Sequence, residues 1–220
     1  MFPIRDHNPS KSFPIVTILI IIVTAFAFYL QLTAPDFEGF IMQYALVPNT
    51  VDLSRLETLL PFIYSIFMHG GWLHIISNMW FLWIFGDNVE AALGHIPYAM
   101  FYLLCGITAG VTQFLFSQGS EIPMLGASGA VAGVLGAYLV LFPRHKVDTL
   151  MIMFGGFMQR IQVPASFMLG YWFLIQVLSG VGSFGGQEGG VAWWAHIGGF
   201  AAGWILVRLL TTNNTHSHSL

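Results

Sequence analysis

The chain has 220 residues, of which 56% are hydrophobic, 15% aromatic and only 8% charged, and its mean hydropathy is +0.73. Soluble domains carry about 25% charged residues, so this composition excludes a disordered chain and an ordinary cytosolic enzyme. The net charge of −3 offers no basic surface for phosphate groups, so we expect no nucleic-acid partner. A single cysteine excludes an intramolecular disulfide, and no Cys/His cluster has zinc-site spacing. The composition is that of a polytopic membrane protein.

Hydropathy predicts an all-α membrane protein with six transmembrane helices in a single domain over 1–220. A span needs about 20 predominantly apolar residues. The first apolar stretch follows a cytoplasmic N-terminus (1–13); it is too long for a signal-peptide core and lacks a good cleavage site, so we predict a retained helix. The predicted spans of the 14–210 core are Pro14–Leu32, Trp72–Phe85 (extending to Leu93), Pro97–Phe116, Ala127–Phe142, Pro164–Leu178 and Trp193–Leu210. We expect 211–220 to be a disordered tail.

The distribution of cations predicts the orientation of these spans. With the N-terminus in the cytoplasm, six of the seven Lys and Arg residues lie on the cytoplasmic side and only Arg55 lies outside. The inverted arrangement would place one of the seven inside, so the positive-inside rule favours cytoplasmic N- and C-termini. The short N-terminus, which shows no transit peptide, favours a prokaryotic plasma membrane.

Two connections between the spans are unusually apolar. The external segment 34–71 contains Tyr44-Ala45-Leu46-Val47, so we expect it to dip into the membrane interface. The segment Leu150–Phe157 is too short to span a membrane. We interpret it as an interfacial cytoplasmic hairpin.

Four polar side chains lie where lipid-facing or core residues are expected: His74, Asn78, Ser128 and His196. Intramembrane polar residues are rare and by default indicate function. Each lies within about two turns of the start of the second, fourth or sixth span, and these spans run in the same direction. We therefore expect all four residues in one layer in the outer part of the membrane.

The spacing of residues within the spans supports this convergence. His74 and Asn78 are four residues apart and share a helix face. The motifs Gly129-x-x-x-Gly133 and Gly199-x-x-x-Gly203 allow helix backbones to approach closely. A serine side chain is short, so such an approach is what a Ser–His hydrogen bond between helices requires.

These residue types indicate acyl-transfer chemistry. A serine hydroxyl becomes an effective nucleophile when an adjacent base takes its proton, and neutral histidine is the usual base near pH 7. The backbone N–H of Ser128 and the side chains of His74 and Asn78 are candidate donors to an oxyanion. No acid is available for a triad: Asp87 and Glu90 lie at the cytoplasmic end of the second span, and Glu121 and Glu188 lie in external loops. We therefore predict a Ser–His dyad, with the histidine oriented by packing.

Three motifs resemble those of rhomboid intramembrane serine proteases. The segment Phe67-Met68-His69-Gly70-Gly71-Trp72-Leu73-His74-Ile75-Ile76-Ser77-Asn78 resembles the helix-2 signature of that family. Gly126-Ala127-Ser128-Gly129-Ala130 resembles its Gly-x-Ser-Gly nucleophile motif, and Ala195-His196-Ile197-Gly198-Gly199-Phe200-Ala201-Ala202-Gly203 is similar to its last-helix histidine motif.

The resemblance implies a function and a set of roles. Ser128 would be the nucleophile and His196 the general base, His74 and Asn78 would stabilise the oxyanion, and His69 and Gly126 would lie beside the site. The implied reaction is hydrolysis of peptide bonds in or near transmembrane segments of protein substrates within a lipid bilayer, at a site open to the extracytoplasmic side. The resemblance implies neither metal nor cofactor.

The sequence departs from the family pattern at two places. Many rhomboids have an aromatic residue one turn after the serine, where this chain has Ala132, so another side chain must fill that space or the ring of His196 is less constrained. The first external loop lacks a Trp-Arg pair, for which Arg55 is a candidate structural substitute.

Structural interpretations and other functions remain open at this stage. Ser128 and His196 taken singly are ordinary packing and hydrogen-bonding residues, and His69 with His74 would need a third ligand to hold a metal ion. The glycine-rich loop 180–190 is either a cap over the site or a plain linker. A catalytically silent rhomboid-like protein that binds membrane clients is the alternative function, and a small transporter is a third. The sequence does not indicate an oligomeric state.

Overall fold

The structure, a computed structural model, describes residues 1–10, 12–152, 158–183 and 191–216. Most of these residues are helical. The helices are α1 (Ile15–Thr33), α2 (Phe37–Tyr44), α3 (Leu56–Leu59), α4 (Pro61–Tyr64), α5 (Trp72–Leu93), α6 (His95–Phe116), α7 (Ser128–Leu141), α8 (Ala165–Gly182) and α9 (Trp193–His216). The strands are β1 (Phe2–Asp6), β2 (Lys146–Ile152) and β3 (Met158–Pro164).

One helix overlaps each predicted span, in chain order α1, α5, α6, α7, α8 and α9. The last helix extends to His216, so it includes part of the segment 211–220 that we expected to be a disordered tail. By length and composition, three helices of the described residues can cross a membrane: α1, α6 and α8. A fourth span is formed if α5 is joined with the bent segment Leu56–Phe67 before it, while α7 is a shorter apolar helix. Helix length therefore supports three or four crossings, against the six predicted.

Helix α7 occupies the centre of the bundle. All ten residues from Gly129 to Tyr138 are buried, and α5, α6, α8 and α9 surround them. Small residues bring α7 and α9 into backbone contact: a Cβ atom on Gly199 would meet the carbonyl oxygen of Gly129, and one on Gly203 would meet that of Gly133. The predicted close approach at the two glycine motifs is confirmed, and it brings the first turns of these helices together.

The external segment 34–71 packs on the protein. Ala45, Leu46 and Val47 are buried, and Leu46 exchanges two backbone hydrogen bonds with Met124, with N···O distances of 3.0 and 2.8 Å. Phe62 of α4 is also buried and lies against Gly110 of α6. This packing fixes the loop that leads into α7.

The fold is mostly helical, as predicted, and a small sheet that the all-α class did not include is added to the helices. Strands β1, β2 and β3 form an antiparallel sheet in that order, with Phe2 opposite Leu150 and Lys146 opposite Pro164. The predicted hairpin around 150–157 is present as β2 and β3, although 153–157 lie outside the described residues. The pairing of β1 with β2 was not predicted, because the hydropathy search recognises spans and β1 lies in the polar N-terminal segment.

A buried aspartate joins the three strands of this sheet. The carboxylate of Asp148 on β2 is ion-paired with Arg160 on β3, accepts a hydrogen bond from His7 at 2.8 Å and lies 4.0 Å from Arg5 on β1. Hydrogen bonds from His7 and then from Arg160 hold the pKa of Asp148 well below its ordinary value of 3.8. Asp148 therefore favours a sheet that includes the N-terminal strand.

Glu90 of α5 has a structural role. Its Oε1 lies 2.6 Å from His95 Nδ1 at the start of α6. Its carboxylate also accepts hydrogen bonds from the backbone N–H groups of Val16 and Thr17, at 2.8 Å each. Glu90 thus accepts hydrogen bonds from N–H groups in the first turn of α1 that have no partner within the helix. Its negative charge also interacts favourably with the positive, N-terminal end of the helix macrodipole.

Candidate active site

The candidate nucleophile, Ser128, is the first residue of α7. Gly126, two residues earlier, has a φ of +125°, a backbone angle that residues with a side chain rarely adopt. The Gly126 N–H donates to the carbonyl of Ser65 at 2.9 Å, so the turn before the helix is tied to the external segment. As a result, Ser128 is held, half-buried, at a helix N-terminus beside a fixed turn.

Ser128 and His196 are in direct contact. The Oγ atom of Ser128 lies 2.8 Å from Nε2 of His196, although the two residues are 68 positions apart in the chain. This is the separation of a serine hydroxyl that donates to an imidazole. In this arrangement Nε2 is placed to take the hydroxyl proton during nucleophilic attack.

The other ring nitrogen of His196 has a partner that the sequence analysis missed. Nδ1 lies 2.7 Å from Oε1 of Gln176, a buried residue of α8. The amide nitrogen of Gln176 donates to the carbonyl oxygen of Trp172, one turn earlier, at 3.2 Å. Gln176 lies in a mostly apolar span, so the rule that identified Asn78 and the other polar residues would also have found it if applied to the fifth span.

Aromatic side chains pack around the imidazole of His196. The ring of Trp172 lies 5.8 Å from it between centroids, and the ring of Trp193 lies 6.3 Å away in an edge-to-face arrangement. Trp172 also packs against Phe200 of α9, at 6.2 Å. Ala132 of α7 has no aromatic ring to pack against the imidazole. Trp172 of α8 and Trp193, in the first turn of α9, limit the movement of the ring instead.

His69 and Asn78 form a buried pair beside the turn that leads to Ser128. Asn78 Nδ2 lies 3.0 Å from His69 Nε2, and the backbone N–H of Ala127 approaches the same nitrogen at 3.5 Å. His69 Nδ1 lies 3.3 Å from the carbonyl oxygen of Phe67, and its backbone exchanges hydrogen bonds with the amide of Gln31 at 2.5 and 3.2 Å. Both ring nitrogens of His69 are thus engaged within the protein.

His74 lies directly against Gly126. A Cβ atom on Gly126 would come within 2.6 Å of His74 Nε2 and 3.7 Å of Asn78 Nδ2. The backbone N–H of Gly70 donates to His74 Nδ1 at 3.3 Å, so Nε2 is the nitrogen that carries the proton in the neutral ring. The structure therefore brings His74, Asn78 and His69 together around Gly126, two residues before Ser128.

Other residues considered in the sequence lie apart from this arrangement. Arg55 pairs with its near neighbour Glu57 at 2.6 Å on the exposed surface, a local contact within the external segment. Residues 184–190, most of the glycine-rich loop interpreted as a cap, lie outside the described residues. In the described part of the chain, no three His, Cys, Asp or Glu side chains are grouped as metal ligands.

Comparisons with known proteins agree with the motifs. The profile described as Rhomboid domain matches residues 56–213. The Rhomboid protease GluP of Bacillus subtilis is 33% identical over 146 residues, which are 66% of this chain and 27% of the relative. Presenilin-associated rhomboid-like protein A, mitochondrial, of Danio rerio is 28% identical over 120 residues, 54% of this chain and 30% of the relative.

A third relative, Rhomboid protein 1, mitochondrial, of Saccharomyces cerevisiae, is 30% identical over 117 residues, 51% of this chain and 33% of the relative. The chain spans about a third of the length of these relatives or less. Two of their names refer to mitochondria, so the similarity does not support the predicted prokaryotic plasma membrane. The profile match covers more than half of the chain and includes Ser128 and His196. This protein, an integral membrane protein, belongs to the rhomboid family.

Proposed function

We propose that this protein is an intramembrane serine endopeptidase that cleaves peptide bonds in or near the transmembrane segments of other membrane proteins. The observation that carries the proposal is the 2.8 Å contact between Ser128 Oγ and His196 Nε2. A catalytically silent relative has no chemical need for this contact. The GluP relative, whose name identifies it as a protease, supports the same function.

The reaction proceeds by acyl transfer. Ser128 Oγ attacks the carbonyl carbon of the substrate peptide bond while its proton passes to His196 Nε2. The tetrahedral intermediate collapses as the same nitrogen returns the proton to the leaving amine. Water then attacks the acyl-enzyme, with His196 again accepting a proton, and Ser128 is regenerated.

Donors to the oxyanion lie on the Gly126 side of the nucleophile. The Ser128 N–H belongs to the first turn of α7, where backbone donors are unpaired within the helix. His74 presents its protonated Nε2 toward Gly126. Asn78 uses one amide proton for His69, which leaves its second N–H to donate to the oxyanion.

The membrane placement that we propose rests on the apolar stretches of the sequence, the distribution of cations and the length of α7. We propose six crossings with cytoplasmic N- and C-termini and a site facing the extracytoplasmic side. Helix α7 has 14 residues, so it is about 21 Å long, against a hydrocarbon thickness of about 30 Å. With its C-terminus near the cytoplasmic interface, Ser128 would lie about 9 Å below the outer one, which is consistent with a site reached by water from that side.

The test is cleavage of a transmembrane substrate in reconstituted vesicles. Wild-type protein should cleave it, while Ser128→Ala and His196→Ala should each reduce cleavage by at least about 10³-fold. Ser77→Ala, which removes an exposed hydroxyl of α5, should leave cleavage unchanged. Cleavage that survives Ser128→Ala would refute the proposal. Substrate binding without cleavage by the wild type would instead support the silent alternative.

The oxyanion assignment has a separate test. His74→Ala should lower kcat by about 10²-fold with little change in KM, because a donor to the oxyanion acts in the transition state. The measurement is steady-state cleavage in vesicles, after thermal unfolding in detergent has established that the variant is folded. A rise in KM at constant kcat would contradict the assignment and indicate a substrate-binding role.

A further inference from the structure

We propose that Gln176 is a positioning residue that fixes the tautomer and the ring orientation of His196, so that the site works as a Ser–His–Gln triad. This inference rests on the proposed function. It concerns a residue outside the predicted dyad, in which the histidine was to be oriented by packing alone. The contact between Gln176 Oε1 and His196 Nδ1, at 2.7 Å, is the starting point.

The orientation of the Gln176 amide is determined by its second contact. The Trp172 carbonyl oxygen, 3.2 Å from Gln176 Nε2, can only accept a hydrogen bond, so the NH2 group must face it. The amide oxygen is therefore the atom that faces His196 Nδ1. A flipped amide would direct two oxygens at each other and an N–H at the ring.

The amide oxygen in turn determines the tautomer of His196. An acceptor opposite Nδ1 requires a proton on Nδ1, which leaves the lone pair of Nε2 in the neutral ring directed at Ser128 Oγ. The opposite tautomer carries its proton on Nε2 and cannot act as a base toward the serine. Gln176 therefore favours the one neutral form of His196 that can start the reaction.

The surroundings of Gln176 indicate that the contact is specific. The residue is 5% exposed, and a buried amide must find partners for its polar atoms. The Gln176 side chain makes one hydrogen bond with the imidazole of His196 and one with the backbone of its own helix. The ring of Trp172, from the turn that supplies that carbonyl, also packs against His196. Helix α8 thus holds the imidazole through a hydrogen bond and an aromatic contact.

The role predicts a particular kinetic signature. Gln176→Met preserves length and burial but removes the acceptor, and it should lower kcat about 10- to 100-fold while KM changes less than about twofold. Gln176→Glu retains an acceptor oxygen and should recover much of the lost kcat. Because a carboxylate beside the ring favours the protonated imidazole, Gln176→Glu should also move the acid limb of the pH–rate profile to higher pH.

Gln113→Met is the matched control. Gln113 of α6 accepts a hydrogen bond from the Ala195 N–H at 3.1 Å, so it binds the same first turn of α9 without contacting the imidazole. Its replacement should reduce stability without changing the pH profile. An equal loss of kcat in both Met variants, with no recovery in Gln176→Glu, would assign Gln176 a merely structural role and overturn the proposal.

A spectroscopic measurement separates this inference from the proposed function. In ¹⁵N-histidine NMR spectra, with His196 assigned by comparison with His196→Gln, the wild-type ring should show a protonated Nδ1 and an unprotonated Nε2. Gln176→Met should show a mixture of tautomers, and Gln113→Met should match the wild type. An unchanged tautomer in Gln176→Met would overturn the inference whether or not the protein cleaves a substrate. Absence of cleavage with this tautomer pattern intact would refute only the proposed function.

Discussion

At the scale of single residues, the three histidines of the site differ in the partners of their ring nitrogens. His196 has an acceptor at Nδ1 and a hydroxyl at Nε2. His74 accepts a backbone N–H at Nδ1 and therefore carries its proton on Nε2. His69 faces a carbonyl at Nδ1 and an amide NH2 at Nε2. One residue type thus supplies the proposed base, the proposed oxyanion donor and a structural link.

Replacement of Gly126 by alanine tests whether the position of the His74 ring matters for activity. A Cβ atom there would meet the His74 ring at 2.6 Å, and the positive φ of +125° adds backbone strain. We expect Gly126→Ala to cost about 1–3 kcal/mol of stability and to lower kcat, because the ring must shift. Thermal unfolding in detergent and steady-state cleavage measure the two effects.

Gly119→Ala is the control for Gly126→Ala. Gly119 also has a positive φ, of +79°, but a Cβ atom there would meet nothing within 4 Å. The Gly119→Ala variant should therefore lose stability through backbone strain alone and have the kcat of the wild type. Equal kcat values for the two variants would show that the contact between Gly126 and His74 does not matter for the chemistry.

The sequence predicted the contact between Ser128 and His196 but not the residues that support it. Ser128 and His196 were found because polar residues in spans are rare and their motifs are specific. The supporting residues Gln31 and Gln176 lie near the outer ends of the first and fifth predicted spans, and each hydrogen-bonds a site histidine. Their partners are backbone groups or a ring nitrogen on another helix, and spacing within one helix contains no information about such contacts.

At the scale of elements, the contact between α7 and α9 determines the distance between Ser128 and His196. A Cβ atom on Gly203 would overlap the Gly133 carbonyl oxygen, which is backbone and cannot rotate away. We expect Gly203→Ala to cost about 1–3 kcal/mol and to lower cleavage by separating the two helices. Unfolding in detergent and cleavage in vesicles are the measurements.

The control for Gly203→Ala lies on α8. A Cβ atom on Gly170 would meet nothing within 4 Å, so Gly170→Ala should be neutral or stabilise the helix by up to about 1 kcal/mol. If the two alanine variants had the same stability and activity, the close approach of α7 and α9 would not be required.

The three-stranded sheet provides a pH-dependent prediction. The folded pKa of Asp148 lies below its ordinary value of 3.8, so its stabilisation is present at neutral pH and is lost as the pH falls below about 4 toward the folded value. Wild-type protein should therefore lose more stability between pH 7 and pH 3 than Asp148→Asn, as measured by thermal unfolding in detergent. Glu38→Gln, which replaces an exposed acid of α2, should retain the wild-type profile. Parallel acid profiles for wild type and Asp148→Asn would contradict the prediction.

The sequence predicted the long helices of the fold but not the strand β1. Helices α1, α5, α6, α7, α8 and α9 follow from runs of apolar residues, because a helix satisfies its own backbone within such a run. Strand β1 could not be found in this way, since its hydrogen bonds go to β2, about 140 residues later in the chain. The sheet depends on pairing between distant segments, which local composition does not indicate.

At the scale of the whole molecule, the scarcity of charge supports both the proposed orientation and the proposed chemistry. Lys and Arg make up only seven residues, and six of them are predicted on one side of the membrane. In the described part of the chain, the His196 ring bonds an amide and a hydroxyl, while Glu90 and Asp148 serve structural contacts. The site therefore combines neutral groups within a bundle that excludes most charge.

The orientation can be tested because the native cysteine does not interfere. Cys105 is fully buried, so the wild-type protein should not react with a membrane-impermeant maleimide. Ser54→Cys, in the exposed external segment, should be labelled in intact cells, and Ser12→Cys, before α1, should be labelled only after the cells are opened. The reverse pattern would overturn the proposed topology.

The central claim is that His196 activates Ser128 as a nucleophile, and adduct formation with a fluorophosphonate tests it most directly. The reagent phosphonylates an activated serine hydroxyl, with fluoride as the leaving group, and its use does not require knowledge of the substrate. Mass spectrometry of the labelled wild-type protein should locate the phosphonyl group on Ser128, and His196→Ala should abolish labelling while the protein remains folded. Labelling of another residue, or equal labelling of Ser128 in His196→Ala, would contradict the account.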